Sequence, residues 1–264
     1  MQPAAHWRDP ASPLPISTYF HATRILAGNG GTPYIHIVMT TSDPSVSETI
    51  VRGIVVGAFQ ENCWVIGNRR TREAVCVDPG DEPDEILAMA RDMGVNIKFI
   101  ANSHAHIDHI LGVGAIREAT GARFLLHPGD LDLARNTARS AKGWMGVDIP
   151  NPPDPDAFLG DGDSVDIDGI QLKVIHTPGH TRGSVCFYAN GVLFAGDTLF
   201  AGSIGRTDLP GGDYDEEMAS ICDRLLVLPD DTIVLPGHMQ QTTIGHERQR
   251  NPYVRMELAK RAGA

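Results

Sequence analysis

The chain has 264 residues, 42% of them apolar, with a formal charge of −11 at neutral pH, which suits one large catalytic core better than two fused half-domains. The acidic excess repels nucleic-acid backbones and anionic membranes, so neither is expected as a main partner. No apolar run approaches the roughly 18–20 residues of a membrane span, residues 1–30 lack a basic segment followed by an apolar stretch, and a cytoplasmic location is expected.

In chain order, residues 1–48 are rich in Pro, Ser, Thr and Gly, with one β-like patch at Tyr34–Thr40. They are expected to form a poorly packed extension ahead of a catalytic domain over 49–264. From Thr49 the pattern is orderly. Residues 50–56, 63–67 and 74–77 are β-branched runs parted by Gly, Asn and charged turns, and they read as strands. Pro83, its acidic neighbours and a closing Gly94 predict a helix over 83–93. A buried strand at 97–101 follows, then a helix over about 110–120, a strand at 123–127 and a helix over 128–141. After a Pro- and Asp-rich loop, 148–162, the β pattern returns at 164–167, 171–175, 184–188 and 192–195. A helix (213–226), a strand (232–235) and a helix over about 244–260 complete the chain. Strands with helices, twice over, predict an α/β fold of two sheets packed face to face with helices outside. Cys63, Cys76, Cys186 and Cys222 contain no C-x-x-C and read as reduced core residues.

The strand at 97–101 delivers the chain to His104, His106, Asp108 and His109, arranged as H-x-H-x-D-H. Side chains two apart on extended backbone project to one side. His104 and His106 can therefore grip one ion while Asp108 and His109 reach a second. Three later strand ends each add a ligand type in a turn: His180 in HTPGH, Asp197 in GDT and His238 in PGH. Singly, these have ordinary readings as a turn histidine, a strand-end cap and a helix-flanking polar residue. With the first motif they total five histidines and two carboxylates, a donor set suited to zinc, iron or manganese. Water between two cations has its pKa lowered from about 15.7 to near 7, which makes hydroxide available to attack an ester or thioester carbonyl. Asp108 is the candidate catalytic residue, placed to orient that hydroxide and accept its proton. Asp78, Ser103 and Thr177 are candidates to orient the histidines; for each, a turn or strand-end role is the alternative. Arg206 either pairs with a substrate carboxylate or forms an internal salt bridge with Asp208 or Asp213.

On these residues the chain resembles the metallo-β-lactamase superfamily over about 49–262. The segments GDTLFAGSIGRTDLPGGD (196–213) and LPGHMQQTTIGHERQRNP (235–252) resemble the glyoxalase II-like thioester hydrolases. The resemblance implies an αββα sandwich of two mixed sheets flanked by helices, with two divalent metal ions at one edge, zinc before iron or manganese. It assigns His104, His106 and His180 to the first ion, Asp108, His109 and His238 to the second, and Asp197 to both. It also implies a small-molecule thioester as substrate, with S-lactoylglutathione the first to try, and leaves the oligomeric state open. Alternatives within the superfamily are a persulfide dioxygenase with a single iron, similar in GRTD (205–208), a lactonase, and a promiscuous β-lactamase. A lactamase of this fold usually has Cys or Ser where Asp197 stands. Two features depart from glyoxalase II. Met239 follows His238 where relatives more often have glycine, and the resemblance does not extend to the C-terminal helical segment through which those enzymes contact glutathione.

Overall fold

The computed structural model describes residues 19–25, 34–40 and 48–263. Its first sheet holds β1 (Tyr19–Ile25), β2 (Tyr34–Thr40), β3 (Thr49–Val56), β4 (Glu61–Asn68), β5 (Glu73–Val77), β6 (Asn96–Ala101), β7 (Arg123–Leu126) and β8 (Ala157–Phe158), each beside the next. Neighbours from β1 to β5 are antiparallel, and those from β5 to β8 are parallel. The second sheet is built from β9 (Ser164–Ile167), β10 (Ile170–His176), β11 (Val185–Ala189) and β12 (Val192–Gly196). A two-stranded ribbon, β13 (Leu199–Phe200) and β14 (Ser203–Ile204), precedes β15 (Ile233–Pro236) and β16 (Thr242–Thr243). The order is β16-β15-β12-β11-β10-β9, with β12 and β15 parallel, so both sheets are mixed. The helices are α1 (Pro83–Met93), α2 (Ile107–Ile110), α3 (Val113–Thr120), α4 (Leu131–Arg135), α5 (Thr137–Trp144), α6 (Tyr214–Ala219), α7 (Ile244–Arg250) and α8 (Pro252–Ala262).

Strand periodicity sorts the apolar residues into three layers. Trp64, Ile66, Val75 and Val77 point inward and meet Leu172, Val174, Phe187, Phe194 and Leu235 of the facing sheet. Their neighbours Cys63, Val65, Ala74 and Cys76 point outward onto Ile86, Met89 and Met93 of α1 and Ile116 of α3. On the other side Cys186, Leu193 and Ala195 meet Met218 of α6 and Val254 of α8. The expected αββα sandwich is thus the observed one. Phe187 and Phe194 are fully buried, each contributing about 1.5–3 kcal/mol. The seam between the sheets is therefore what holds the strand ends, and the loops they carry, in place. All four cysteines are free and buried, as expected.

Helix boundaries differ from expectation where a polar residue caps a new start. The helix expected over 244–260 is two, because Asn251 precedes Pro252, is held extended, and accepts from the Tyr253 and Val254 N–H groups. The helix expected over 128–141 breaks at Asn136, where the Asn151 side chain bridges the Arg135 carbonyl and the Ala138 N–H. The helix expected over 213–226 becomes α6, capped by Asp213, and then a π-helical turn at Ser220–Leu225. The β patch at Tyr34–Thr40 is β2, paired with β3, while β1 had no counterpart in the sequence reading. The remainder of the expected extension lies outside the described residues. Strand β8 falls inside the expected 148–162 loop.

Candidate metal centre

Four strand ends open at one rim. His104 and His106 follow β6, with Asp108 and His109 on α2 just beyond; His180 follows β10, Asp197 follows β12 and His238 follows β15. Two glycines make the convergence sterically feasible. A Cβ on Gly237 would lie 2.3 Å from Asp197 Oδ1 and 2.6 Å from His109 Cε1. Gly196 adopts φ +48°, and a Cβ there would strike Ser103 Oγ at 2.3 Å.

The seven residues named by the sequence form two clusters. In one, His180 Nε2 lies 2.8 Å from His106 Nδ1 and 3.2 Å from His104 Nε2. In the other, His238 Nε2 lies 3.2 Å from Asp108 Oδ2, and His109 Nε2 is 4.0 Å from the same oxygen. Asp197 stands between them. Its Oδ1 is 3.4 Å from His109 Nε2, and its Oδ2 is 3.7 Å from His180 Nε2 and 3.6 Å from His238 Nε2.

Hydrogen bonds on the far side of the rings fix which nitrogen faces inward. The Asp78 carboxylate accepts from Ser103 N (2.6 Å), Ser103 Oγ (2.6 Å) and His109 Nδ1 (3.1 Å). With its own proton committed to Asp78, Ser103 Oγ accepts from His104 Nδ1 at 3.0 Å. His180 Nδ1 donates to the Arg206 carbonyl at 2.8 Å. In its neutral form each of these histidines is therefore held in the tautomer that turns an Nε2 lone pair toward the centre. His109 Nε2 and Asp197 Oδ1 are buried with no well-directed hydrogen bond, facing only each other at 3.4 Å, an incomplete satisfaction for buried polar atoms. Converging nitrogens and carboxylate oxygens with unused lone pairs fit a pair of divalent cations.

The electrostatics split the same set. Burial, with His109 and His180 nearby, holds His104 well below the ordinary histidine range. Burial, with His180 and His109, takes His106 down to about 3. Burial disfavours charge on Asp197 and Asp108 too, but His109 and its neighbours hold both carboxylates below their usual range. Against the same desolvation, Asp197 and Asp108 lift His109 well above its usual value, and His238 is raised by Asp108 and Asp197. Without cations, the carboxylates and the second histidine set compensate one another as buried ion pairs.

Of the three orienting candidates, Asp78 and Ser103 do contact the histidines. Thr177 does not: its hydroxyl sits 3.1 Å from Thr198 Oγ1 and 3.4 Å from Cys186 Sγ, so it ties strand ends together. Arg206 lies on the cleft beside the clusters, and its guanidinium is bonded to Asp208. Met239 adopts φ +67°, the left-handed region that favours glycine, so the methionine sits here against its backbone preference.

Two supporting residues were missed. Buried Asp130 accepts from Ala105 N (3.0 Å), Thr181 Oγ1 (2.8 Å) and Gly183 N (2.8 Å), strapping the loop of His104 and His106 to that of His180. It reads in sequence as an unremarkable first-turn acid. Asn62 donates through Nδ2 to the carbonyls of Pro236 (3.0 Å) and Met239 (2.9 Å), bracing the His238 turn. A polar residue in a strand buried along its whole length was the available signal. Glu61, also buried, has no hydrogen-bond partner, and burial lifts its carboxyl well above the usual range.

Comparison with known proteins shows the family. The family profile of the metallo-beta-lactamase superfamily matches residues 56–238. A Haemophilus influenzae protein named hydroxyacylglutathione hydrolase GloC is 34% identical over 210 residues, covering 76% of this chain and 96% of its own. Among solved structures, the B3 metallo-beta-lactamase BLEG-1 gives a TM-score of 0.73 at 36% identity, over 77% of this chain and 99% of its own. TTHA1623 in a di-iron-bound form gives 0.68 at 40% identity, over 76% of this chain and 98% of its own.

Proposed function

The chain belongs to the metallo-β-lactamase superfamily, and from that premise we propose that it is a dinuclear metal-dependent hydrolase of thioesters. His104, His106 and His180 would hold one cation and Asp108, His109 and His238 the other, with Asp197 shared. The observation that carries this reading is the position of Asp197, whose two oxygens lie within 3.7 Å of histidine nitrogens from both clusters. The one-iron dioxygenase alternative would keep the same histidines, so the number of metals per chain, and not the ligand set, separates the two readings. The likeness to hydroxyacylglutathione hydrolase GloC at 34% identity favours thioesters within the class.

The chemistry the two cations supply is Lewis acidity, which brings the pKa of water from about 15.7 to near 7 and polarises a carbonyl oxygen. The protein does the positioning. Asp78 keeps His109 Nε2, and through Ser103 His104 Nε2, free of protons and aimed inward. Asp108 faces the cleft with its carboxylate held ionised by His109 and His238 despite burial. It would accept a hydrogen bond from the attacking water and orient it. No Ser or Cys nucleophile is needed, and the buried cysteines, with the Cys186 thiol pushed up to about 12 by burial, are unsuited to that role.

Elemental analysis of the purified protein, followed by a thioester, lactone and β-lactam panel, tests the proposal. Two metals per chain with thioester turnover is the expected result. One iron with oxygen uptake on a persulfide would overturn it. The likeness to BLEG-1 makes lactam hydrolysis the first side activity to measure.

A further inference from the structure

A cleft of about 260 Å³ opens beside the clusters, with His106, Asp108 and His180 in its lining. The rest of that lining is dominated by Phe59, Ile107, Leu133, Trp144, Leu209 and Pro210. Trp144 and Phe59 are 64% and 42% exposed, a large apolar surface left in water next to a reactive centre. The volume falls below the range of about 300–1,000 Å³ typical of drug-sized sites, so the group it accepts is modest in size.

Charge decides what kind of group. Histidines apart, Arg206 is the sole cation among the described residues lining the cleft. Its Nε and Nη2 each donate to Asp208, at 2.8 Å and 2.8 Å, a two-point pair with no net charge. A substrate carboxylate reaching for Arg206 would first have to displace Asp208 and would then face that freed anion. Both side chains are more than half exposed, so the pair is a weak one, but it leaves Arg206 without net charge to offer an anionic tail.

Accepting the thioester reading above, we propose that this cleft receives an uncharged, apolar substituent of the thioester, and that the Arg206–Asp208 pair discriminates against carboxylate-bearing ones such as glutathione. The uncharged group covers Trp144 and Phe59, and its carbonyl lies over the clusters. Asp208 acts by neutralising Arg206 and does not itself touch substrate.

Two substrate series test this with the metal-loaded protein. In one the acyl group is lactoyl and the thiol is benzyl mercaptan or glutathione; in the other the thiol is benzyl mercaptan and the acyl group is phenylacetyl or succinyl. The series that varies the group in the cleft should favour its uncharged member in kcat/KM by about tenfold or more, the scale of a pocket contact. Asp208→Asn should narrow that ratio at least about fivefold by improving KM for the charged member. Trp144→Ala, at an exposed position that leaves the core intact, should raise KM for the uncharged member about tenfold. Equal rates within both series, preference for the charged members, or an unmoved ratio in Asp208→Asn would overturn the inference. If no thioester is turned over, the thioester reading fails. The cleft is then judged by tryptophan quenching with benzyl methyl sulfide against S-methylglutathione, where tighter binding of the latter refutes it.

Discussion

Replacing Asp78 by Asn tests whether the histidines are aimed by a carboxylate behind them. Asp78 sits at φ +52°, a left-handed conformation that Asn tolerates well, so the backbone is undisturbed. The amide oxygen can keep one of the three donors that Asp78 now satisfies, while its NH₂ faces the other two. Ser103 Oγ can turn to accept, but His109 Nδ1–H, now 3.1 Å from Asp78 Oδ2, is left against a donor. His109 relieves the clash by moving its proton to Nε2, which fills the lone pair aimed at the centre. Losing a buried hydrogen bond to a charged group costs about 1.5–3 kcal/mol. Loss of such a supporting partner lowers metal affinity about 10–100-fold, or about 1.4–2.7 kcal/mol, the same range. The assay is zinc affinity by competition with a chelating dye, alongside thermal unfolding of the metal-free protein, where Tm should fall by about 4–8 °C for 2 kcal/mol in a domain of this size. Zinc affinity within twofold of the parent protein, with unchanged Tm, would refute the reasoning.

Other outcomes follow from the same geometry. Asp197→Ala should release at least one metal by elemental analysis and abolish turnover; full activity in the variant would contradict a shared ligand. Gly237→Ala places a methyl group 2.3 Å from Asp197 Oδ1, and a ligand shift of about 1 Å should cost about 100-fold in kcat with far-ultraviolet circular dichroism unchanged. Dialysis against a chelator should lower Tm yet leave that spectrum intact, because Asp130 and Asn62 strap the ligand loops without help from a cation. A chain that unfolds on metal removal would show that those straps are insufficient.

Much of the site was legible because its donors are chemically unusual residues at strand ends, where periodicity stops and turn chemistry begins. H-x-H-x-D-H is local, so spacing alone linked its four members. His180, Asp197 and His238 were found by residue type, but only the fold brings them within 4 Å of partners 70 or more positions away. The supports were harder to see. Asp130 and Asn62 act through backbone N–H and carbonyl groups, which carry no sequence signature. Arg206 stayed ambiguous because sequence alone does not say whether its guanidinium meets a substrate carboxylate, Asp208 or Asp213, and the side-chain geometry selected Asp208. The helix ends were misread because Asn251 signals a cap only once the chain is held extended before Pro252, and the break at Asn136 is satisfied from outside by Asn151, which no local pattern announces.

Each proposed coordination sphere draws two donors from loops of the first sheet and one from loops of the second, and Asp197 adds a further donor from the latter. The cations would therefore act as rivets through the sandwich, and a displacement of one leaf against the other by about 1 Å should cost about 100-fold in rate while every strand survived. Catalysis in this chain should then be the first property to fail on warming, reporting the slip of the leaves before any spectroscopic melting.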